Sequence, residues 1–264
     1  MFSKLTGYAF SATQQKQKLH MLKIFLSKIK KPKREIEEME QEYDDLANNP
    51  MEDSDEEDPE EEMKKVEVTD EERHEIINTV LPEIITGFYS VQAKSKKISE
   101  ILLLDLVKLC RNNFNEFLKK LLAGFAGDTV DTRAATLVIL TKVLRTNSED
   151  FTEENLQKIA KIIILFLKEN SALLQKSVLK CLKCLLSIIS NDAIWELSEP
   201  ILKAITEFEG RQKMNIYVRY IIGKFIKRLG KDEVKKHTPE THAALIDYVD
   251  KQLRRDAKQL QKSR

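Results

Sequence analysis

Residues 157–168 read Gln-Lys-Ile-Ala-Lys-Ile-Ile-Ile-Leu-Phe-Leu-Lys, and the choice between strand and helix for this run decides the fold. Six apolar residues in a row, Ile162 to Leu167, would suit a strand buried on both faces. The polar positions decide otherwise: Gln157, Lys158, Lys161 and Lys168 recur at helical spacing and leave the isoleucines and leucines on the other side of a cylinder. The run is therefore expected to close a helix over 152–168.

The same reading extends in both directions. Thr69 and Glu72 have the spacing of a capping box ahead of Ile76, Ile77, Val80, Leu81, Ile84 and Ile85. Pro82 inside that helix should bend it, because proline cannot donate the helical hydrogen bond. Further helices are expected over 94–109, 114–122, 131–144, 171–189, 192–208, 213–229 and 239–260. Asp128 or Thr129 caps the one that ends at Leu144, and Thr238 with Pro239 should open the last. No competing strand pattern occurs.

Spacing says more than any single helix. First helices of successive pairs begin near 72, 113, 152 and 192, and their partners near 94, 131, 171 and 212, a step of about 40 residues that matches HEAT and armadillo units. A lone helix pair has one apolar face too many, so such units must stack. The expected fold is all-α, a HEAT/armadillo-like α-solenoid of antiparallel helix pairs. Its two ends need covering, one by the helix at 239–260 and the other by something the sequence does not name.

Charge divides the chain of 264 residues into three parts. Residues 1–31 read as a short basic amphipathic helix, with Leu19, Leu22, Ile24, Phe25, Leu26 and Ile29 among Lys16, Lys18, Lys23, Lys28 and Lys30, stopped by Pro32. Residues 32–68 read as an acidic disordered linker: Glu35 to Glu62 holds 16 acidic and no basic side chains, so the block repels itself and has nothing to bury. Residues 69–264 form the helical repeat domain with basic C-terminal helices. The formal net charge of +1 thus hides an acidic segment joined to a basic body, an asymmetry that favours a polyanionic partner.

Several function classes lose support. Three cysteines, Cys110, Cys181 and Cys184, make no disulfide framework and fit a reducing compartment. No run is apolar enough to span a membrane, and no secretory leader is apparent. The Cys181/Cys184 C-x-x-C falls in mid-helix, where small residues fill a seam, rather than at a helix start where a thiolate would be stabilised. His20, His74, His237 and His242 lie in separate segments and suggest no metal site. Gly124 to Thr129 lacks the glycine spacing of a phosphate loop and reads as a helix stop, although the helix start beside Thr132 and Arg133 could accept one phosphate. No enzyme, cofactor or metal is expected.

Cations carry the stronger signal. Lys176, Lys180 and Lys183 recur at i, i+4 and i+7 as a basic stripe. Residues 211–264 hold 15 basic against 6 acidic side chains. Lys224, Lys227, Arg228 and Lys231 form one cluster there; Lys251, Arg254, Arg255, Lys258 and Lys262 form another. A solvated helix face explains any one of them, while the set together points to nucleic-acid or ribonucleoprotein contact through phosphates. Tyr217, Tyr220 and Tyr248 could add stacking, although Tyr217 and Tyr220 fit equally well as partly buried packing residues. Ser54, followed by Asp55, Glu56, Glu57 and Asp58, looks like an acidophilic kinase substrate.

Two stretches resemble a known family. The run Leu121-Leu-Ala-Gly-Phe-Ala-Gly-Asp-Thr129, continuing from Thr132-Arg-Ala-Ala-Thr136 to Leu144, is similar to the nucleolar ribosomal RNA-processing HEAT-repeat proteins (ribosomal RNA-processing protein 12-like). So is Val218-Arg-Tyr-Ile-Ile-Gly-Lys-Phe-Ile-Lys-Arg-Leu-Gly230, which brings in Arg219. The resemblance covers roughly residues 77–260, in order, and matches the carboxy-terminal portion of long solenoids; a fragment, a truncated gene model and a reduced homologue would all read this way. It implies a non-catalytic scaffold in pre-rRNA processing and in maturation or export of pre-ribosomal particles. The implied partners are pre-rRNA or pre-ribosomal ribonucleoprotein, ribosome assembly factors and nuclear transport machinery, and the implied location is the nucleus and nucleolus. The rival reading is a protein-binding α-solenoid adaptor of transport type without RNA binding.

Overall fold

The computed structural model describes residues 16, 18–23, 26 and 69–262, and every regular element among them is helical. The acidic segment 32–68 with Ser54, most of segment 1–31 and the side chain of Lys262 lie outside the described residues. The chain divides into two compact units, residues 1–120 and 121–264.

In the first unit, α1 (Asp70–Tyr89) and α2 (Ala93–Leu109) pack against each other. The capping box forms as expected, with Thr69 Oγ1 accepting from the Glu72 amide and the Glu72 carboxylate accepting from the Thr69 amide. Accepting those bonds lowers the Glu72 pKa. Pro82 does not interrupt α1, which runs on to Tyr89. Near its end Gly87 lets α2 approach: a Cβ there would stand 1.9 Å from Ser99 Oγ. After α2, a 3-10 turn at Arg111–Asn113 leads into α3 (Phe114–Ala123), whose Phe117 is fully buried.

The helical residues at 16–26 belong to this unit as well. Leu19, Leu22 and Leu26 are buried, and Lys18 Nζ reaches Glu83 of α1 at 2.6 Å. Each such leucine contributes about 1.5–3 kcal/mol by burial. Of the described residues in this segment, Lys18 and Leu19 lie against α1 at Glu83 and Gly87, although an acidic stretch separates the two in sequence.

The second unit is built in two rows. In one, α4 (Val130–Thr146), α6 (Ala172–Ile188), α8 (Asn215–Leu229) and α10 (Ala243–Lys262) each pack on the next. In the other, α5 (Glu153–Ile163) packs on α7 (Asn191–Glu207), and both rows touch, α5 on α6 and α7 on α8. Four of these helices start on a hydroxyl that accepts an amide of the first turn: Thr129, Thr152, Ser171 and Ser190. Such caps contribute about 1 kcal/mol each and define where each helix begins.

Three local expectations change. Residues 164–168 of the run that decided the fold tighten into a 3-10 turn, which puts Ile164 and Leu167 inside and leaves Leu165 exposed. Buried Gln175 closes the turn that follows, its amide donating to the Leu167 and Glu169 carbonyls at 3.3 and 3.0 Å. Residues 209–214 are likewise 3-10, including Lys213 and Met214, which were expected to open the helix over 213–229. Finally, Thr238 does not open the last helix. A short helix α9 (Lys231–Lys236) intervenes, and Thr238 Oγ1 donates back to the Val234 carbonyl at 2.6 Å. Pro239 is extended, and α10 starts only at Ala243. Gly230, at φ 87°, supplies the left-handed turn between α8 and α9.

Candidate nucleic-acid interface

Neither α6 nor α8 contains a carboxylate, while together they carry Lys176, Lys180, Lys183, Arg219, Lys224, Lys227 and Arg228. The helices lie side by side. On α6 the apolar positions Leu174, Val178, Cys181, Leu182 and Leu185 are buried, which turns Lys176, Lys180 and Lys183 outward. On α8, burial of Val218, Ile221, Ile222, Phe225 and Ile226 turns Tyr220 and Lys227 outward, with Lys224 half-buried on the same stripe. Two stripes at i, i+4 and i+7 thus run along neighbouring helices.

An aromatic ring joins them. Lys183 Nζ stands 4.0 Å from the Tyr220 ring centroid, and Lys224 Nζ 5.8 Å from it. Next along α8, the Arg219 guanidinium lies 4.5 Å over the ring of Tyr248, on α10, and donates to its hydroxyl at 3.4 Å. Both tyrosines remain exposed, 40% and 46%. Like-charged stripes on two helices that carry no carboxylate of their own make a positive field that a phosphodiester backbone would neutralise.

Arg228 does not belong to this surface. Its guanidinium turns inward and donates to the Leu186 and Ile189 carbonyls at 3.2 and 2.8 Å, and to Asn191 Oδ1 at 2.7 Å. It is the cap of α6, since the last carbonyls of a helix lack intrahelical donors. Lys231 is also committed, bonding Asp247 at 2.7 Å beside Lys235 at 2.8 Å. These bonds hold the Asp247 carboxyl below its ordinary range and raise the Lys231 pKa.

The second terminal cluster is mixed in sign. Lys251, Arg254, Arg255 and Lys258 are all exposed on α10, but Arg254 pairs with Asp250 at 3.0 Å, and Asp256 interrupts the row. Lys224, Arg228, Arg254 and Arg255 therefore do not form one continuous free face.

No protein-family model matches this chain, and no curated protein matches it.

The phosphate position suggested at the start of α4 is filled by the protein itself. Thr129 Oγ1 takes the Thr132 amide at 3.1 Å. Arg133 donates to the Gly127 carbonyl at 2.7 Å and to Glu169 at 2.8 Å, so it braces the corner at Gly124 and Gly127. Asp128 points to solvent. Adding a Cβ at Gly127 would bring it 2.6 Å from Thr132 Cγ2, which explains the glycine there by packing.

Among the described residues, no group of three or more His, Cys, Asp or Glu side chains could hold a metal ion, and no helix is long and apolar enough to cross a membrane. Cys110 and Cys181 are buried, and burial pushes each thiol up to about 12. His74 meets Glu116, and His237 meets Glu233 at 3.2 Å with its ring 5.1 Å from that of Trp195. His242, partly buried near Arg211, has its pKa lowered by desolvation first and by that charge second.

Two contributors were hard to see in sequence. Tyr220 reads in sequence equally well as a partly buried packing residue, and only the packing of α6 on α8 puts Lys183 over its ring. Arg145, at the end of α4, is exposed and acts electrostatically on Cys184 of α6. Nothing in the α4 sequence links it to the α6 stripe.

Proposed function

We propose that this chain is a HEAT/armadillo-like α-solenoid and a non-catalytic scaffold of ribosome biogenesis, acting in pre-rRNA processing and in maturation or export of pre-ribosomal particles. It docks on pre-ribosomal ribonucleoprotein in the nucleolus and nucleus, alongside assembly factors and the transport machinery. The repeat step of about 40 residues and the family resemblance support the architecture and the setting. The observation that carries the binding reading is the carboxylate-free pair α6 and α8, with Lys176, Lys180, Lys183, Lys224 and Lys227 on it. Contacts of this kind are to phosphate and carry little base readout.

Binding of pre-rRNA fragments measured at two salt concentrations tests the reading. Five lysine–phosphate contacts should lower affinity roughly 100-fold between about 50 and about 200 mM salt. Reversing Lys176, Lys180 and Lys183 to Glu should abolish binding and release the protein from particles that sediment with pre-rRNA. Absence of binding at low salt would falsify it.

A further inference from the structure

We infer that the α6–α8–α10 surface selects unpaired RNA, with Tyr220 and Tyr248 as platforms on which single-stranded bases stack. The inference rests on the proposal that the α6–α8 surface binds RNA, and adds which form of RNA it takes.

Both rings are exposed at places where packing alone would favour something else. On α8, Val218, Ile221, Ile222, Phe225 and Ile226 fill the core positions, and Tyr220 sits outside them at 40% exposure. Tyr248 is 46% exposed while Ile246 and Val249 on either side of it are buried. Neither ring is needed to close the core, and each is held by a cation instead.

The cations differ, and the difference matters for stacking. Arg219 is consecutive with Tyr220 on α8, and its planar guanidinium lies 4.5 Å over one face of Tyr248 while donating to that ring's hydroxyl. Its Nε is buried, so the inner end of the guanidinium is shielded from water while the outer end lies on the ring. A ring braced on one face and exposed offers the other to a base, in a guanidinium–phenol–base stack. Tyr220 instead carries the flexible ammonium of Lys183 at 4.0 Å. A lysine over an exposed ring is attracted less strongly than a base that stacks on it. An incoming base displaces Lys183 from the ring, and the ammonium then meets the phosphate that arrives with the base. Lys224, 5.8 Å from the same ring, is placed for the next phosphate.

Aromatic rings between cations are the arrangement by which proteins hold single strands, whose bases are free to unstack. An A-form duplex keeps its bases paired and stacked and offers phosphates, hydroxyls and base edges but no free base face, so it gains no stacking from the rings.

The experiment compares a fluorescently labelled single-stranded oligouridylate with an RNA duplex of equal phosphate number, using the full chain and anisotropy. The expected result is that Tyr220→Ala and Tyr248→Ala each weaken single-strand binding about 5- to 50-fold, within the range of one lost stack. Duplex binding should change less than twofold, and Tyr220→Phe and Tyr248→Phe should bind as the parent does. Lys183→Ala and Lys224→Ala should weaken both ligands alike. Equal loss on both ligands for the tyrosine variants, or no loss on either, overturns the inference while leaving phosphate binding standing. Failure of the parent chain to bind either ligand at low salt overturns the underlying proposal and the inference with it. The thermal unfolding midpoint of each variant, compared with the parent, separates lost stacking from lost folding.

Discussion

Arg228 of α8 donates to the main-chain carbonyl of Ile189 at 2.8 Å, and so one helix supplies the C-terminal cap of its neighbour. The same guanidinium takes Leu186 O and Asn191 Oδ1, which ties the end of α6, the start of α7 and the end of α8 together. A fork of fixed donors suits three acceptors in different directions, and a lysine has no such fork. Replacing Arg228 by Ala should destabilise the chain by about 2–3 kcal/mol, through lost charge-assisted bonds and carbonyls left short of donors. Arg228→Lys should recover less than half of that, as read from urea unfolding midpoints. RNA affinity should stay near the parent value, and a loss as large as that of Lys183→Ala would show that Arg228 faces the ligand after all.

The close approach of α1 and α2 at Gly87 predicts a coupled pair. A methyl group at Gly87 would sit 1.9 Å from Ser99 Oγ and 3.2 Å from Leu19 Cδ1. Gly87→Ala should therefore cost about 1–3 kcal/mol despite the better helix propensity of alanine. Ser99 Oγ is buried without a hydrogen-bond partner, so Ser99→Ala alone should be neutral or mildly stabilising. In the Ser99→Ala background the cost of Gly87→Ala should fall clearly. A strictly additive double-mutant cycle would mean that the two side chains do not meet.

Asp247 ties α9 to α10 through Lys231 and Lys235, and those bonds lower its pKa from the ordinary 3.8. A carboxyl with a depressed folded-state pKa contributes stability that is present above its unfolded value and is lost as pH falls through the folded one. Lys231 behaves in the opposite sense: its raised pKa means a contribution present below 10.5 and lost as pH climbs past the raised value. Asp247→Asn should lower the melting temperature at neutral pH, and the gap to the parent should close below about pH 3.8. A gap that is constant from pH 7 down to pH 3 would count against the ion pairs.

Thiol chemistry reports on the core. Burial pushes the Cys110 and Cys181 thiols to about 12 and also raises Cys184, where Arg145 opposes the shift. Since the thiolate is the reacting form, all three should react slowly at neutral pH. The half-buried Cys184 should be modified first, and Cys110 and Cys181 only when denaturant opens the fold. Rapid labelling of Cys181 in the folded chain would mean that α6 opens independently of the rest.

Much of this architecture was legible one residue at a time. Thr69 with Glu72, and the apolar spacing around Ile159 and Val178, report local preferences that need no partner, and each helix there starts within a residue or so of where its sequence signals put it. The misses fall where a distant residue intervenes. Gln175 reaches the Leu167 and Glu169 carbonyls from the next helix, after the run has tightened to 3-10 at Ile164, and Thr238 bonds Val234 because α9 precedes it. The site shows the same division. The stripe Lys176, Lys180 and Lys183 is a periodic pattern, readable as such, whereas Arg228 looked like one more surface cation and is a cap.

By itself, then, the sequence determined that the body of this protein is all helix, where most helices start, and that the positive charge collects on α6, α8 and α10. Those properties depend on local spacing and on composition, which neighbours in the chain settle among themselves. Tertiary structure alone decided which cations face outward. Arg228, Arg133 and Lys231 are drawn to carbonyls and carboxylates of elements far away in sequence, and Lys183 to the ring of Tyr220, because a charge is worth most where packing has already placed its partner.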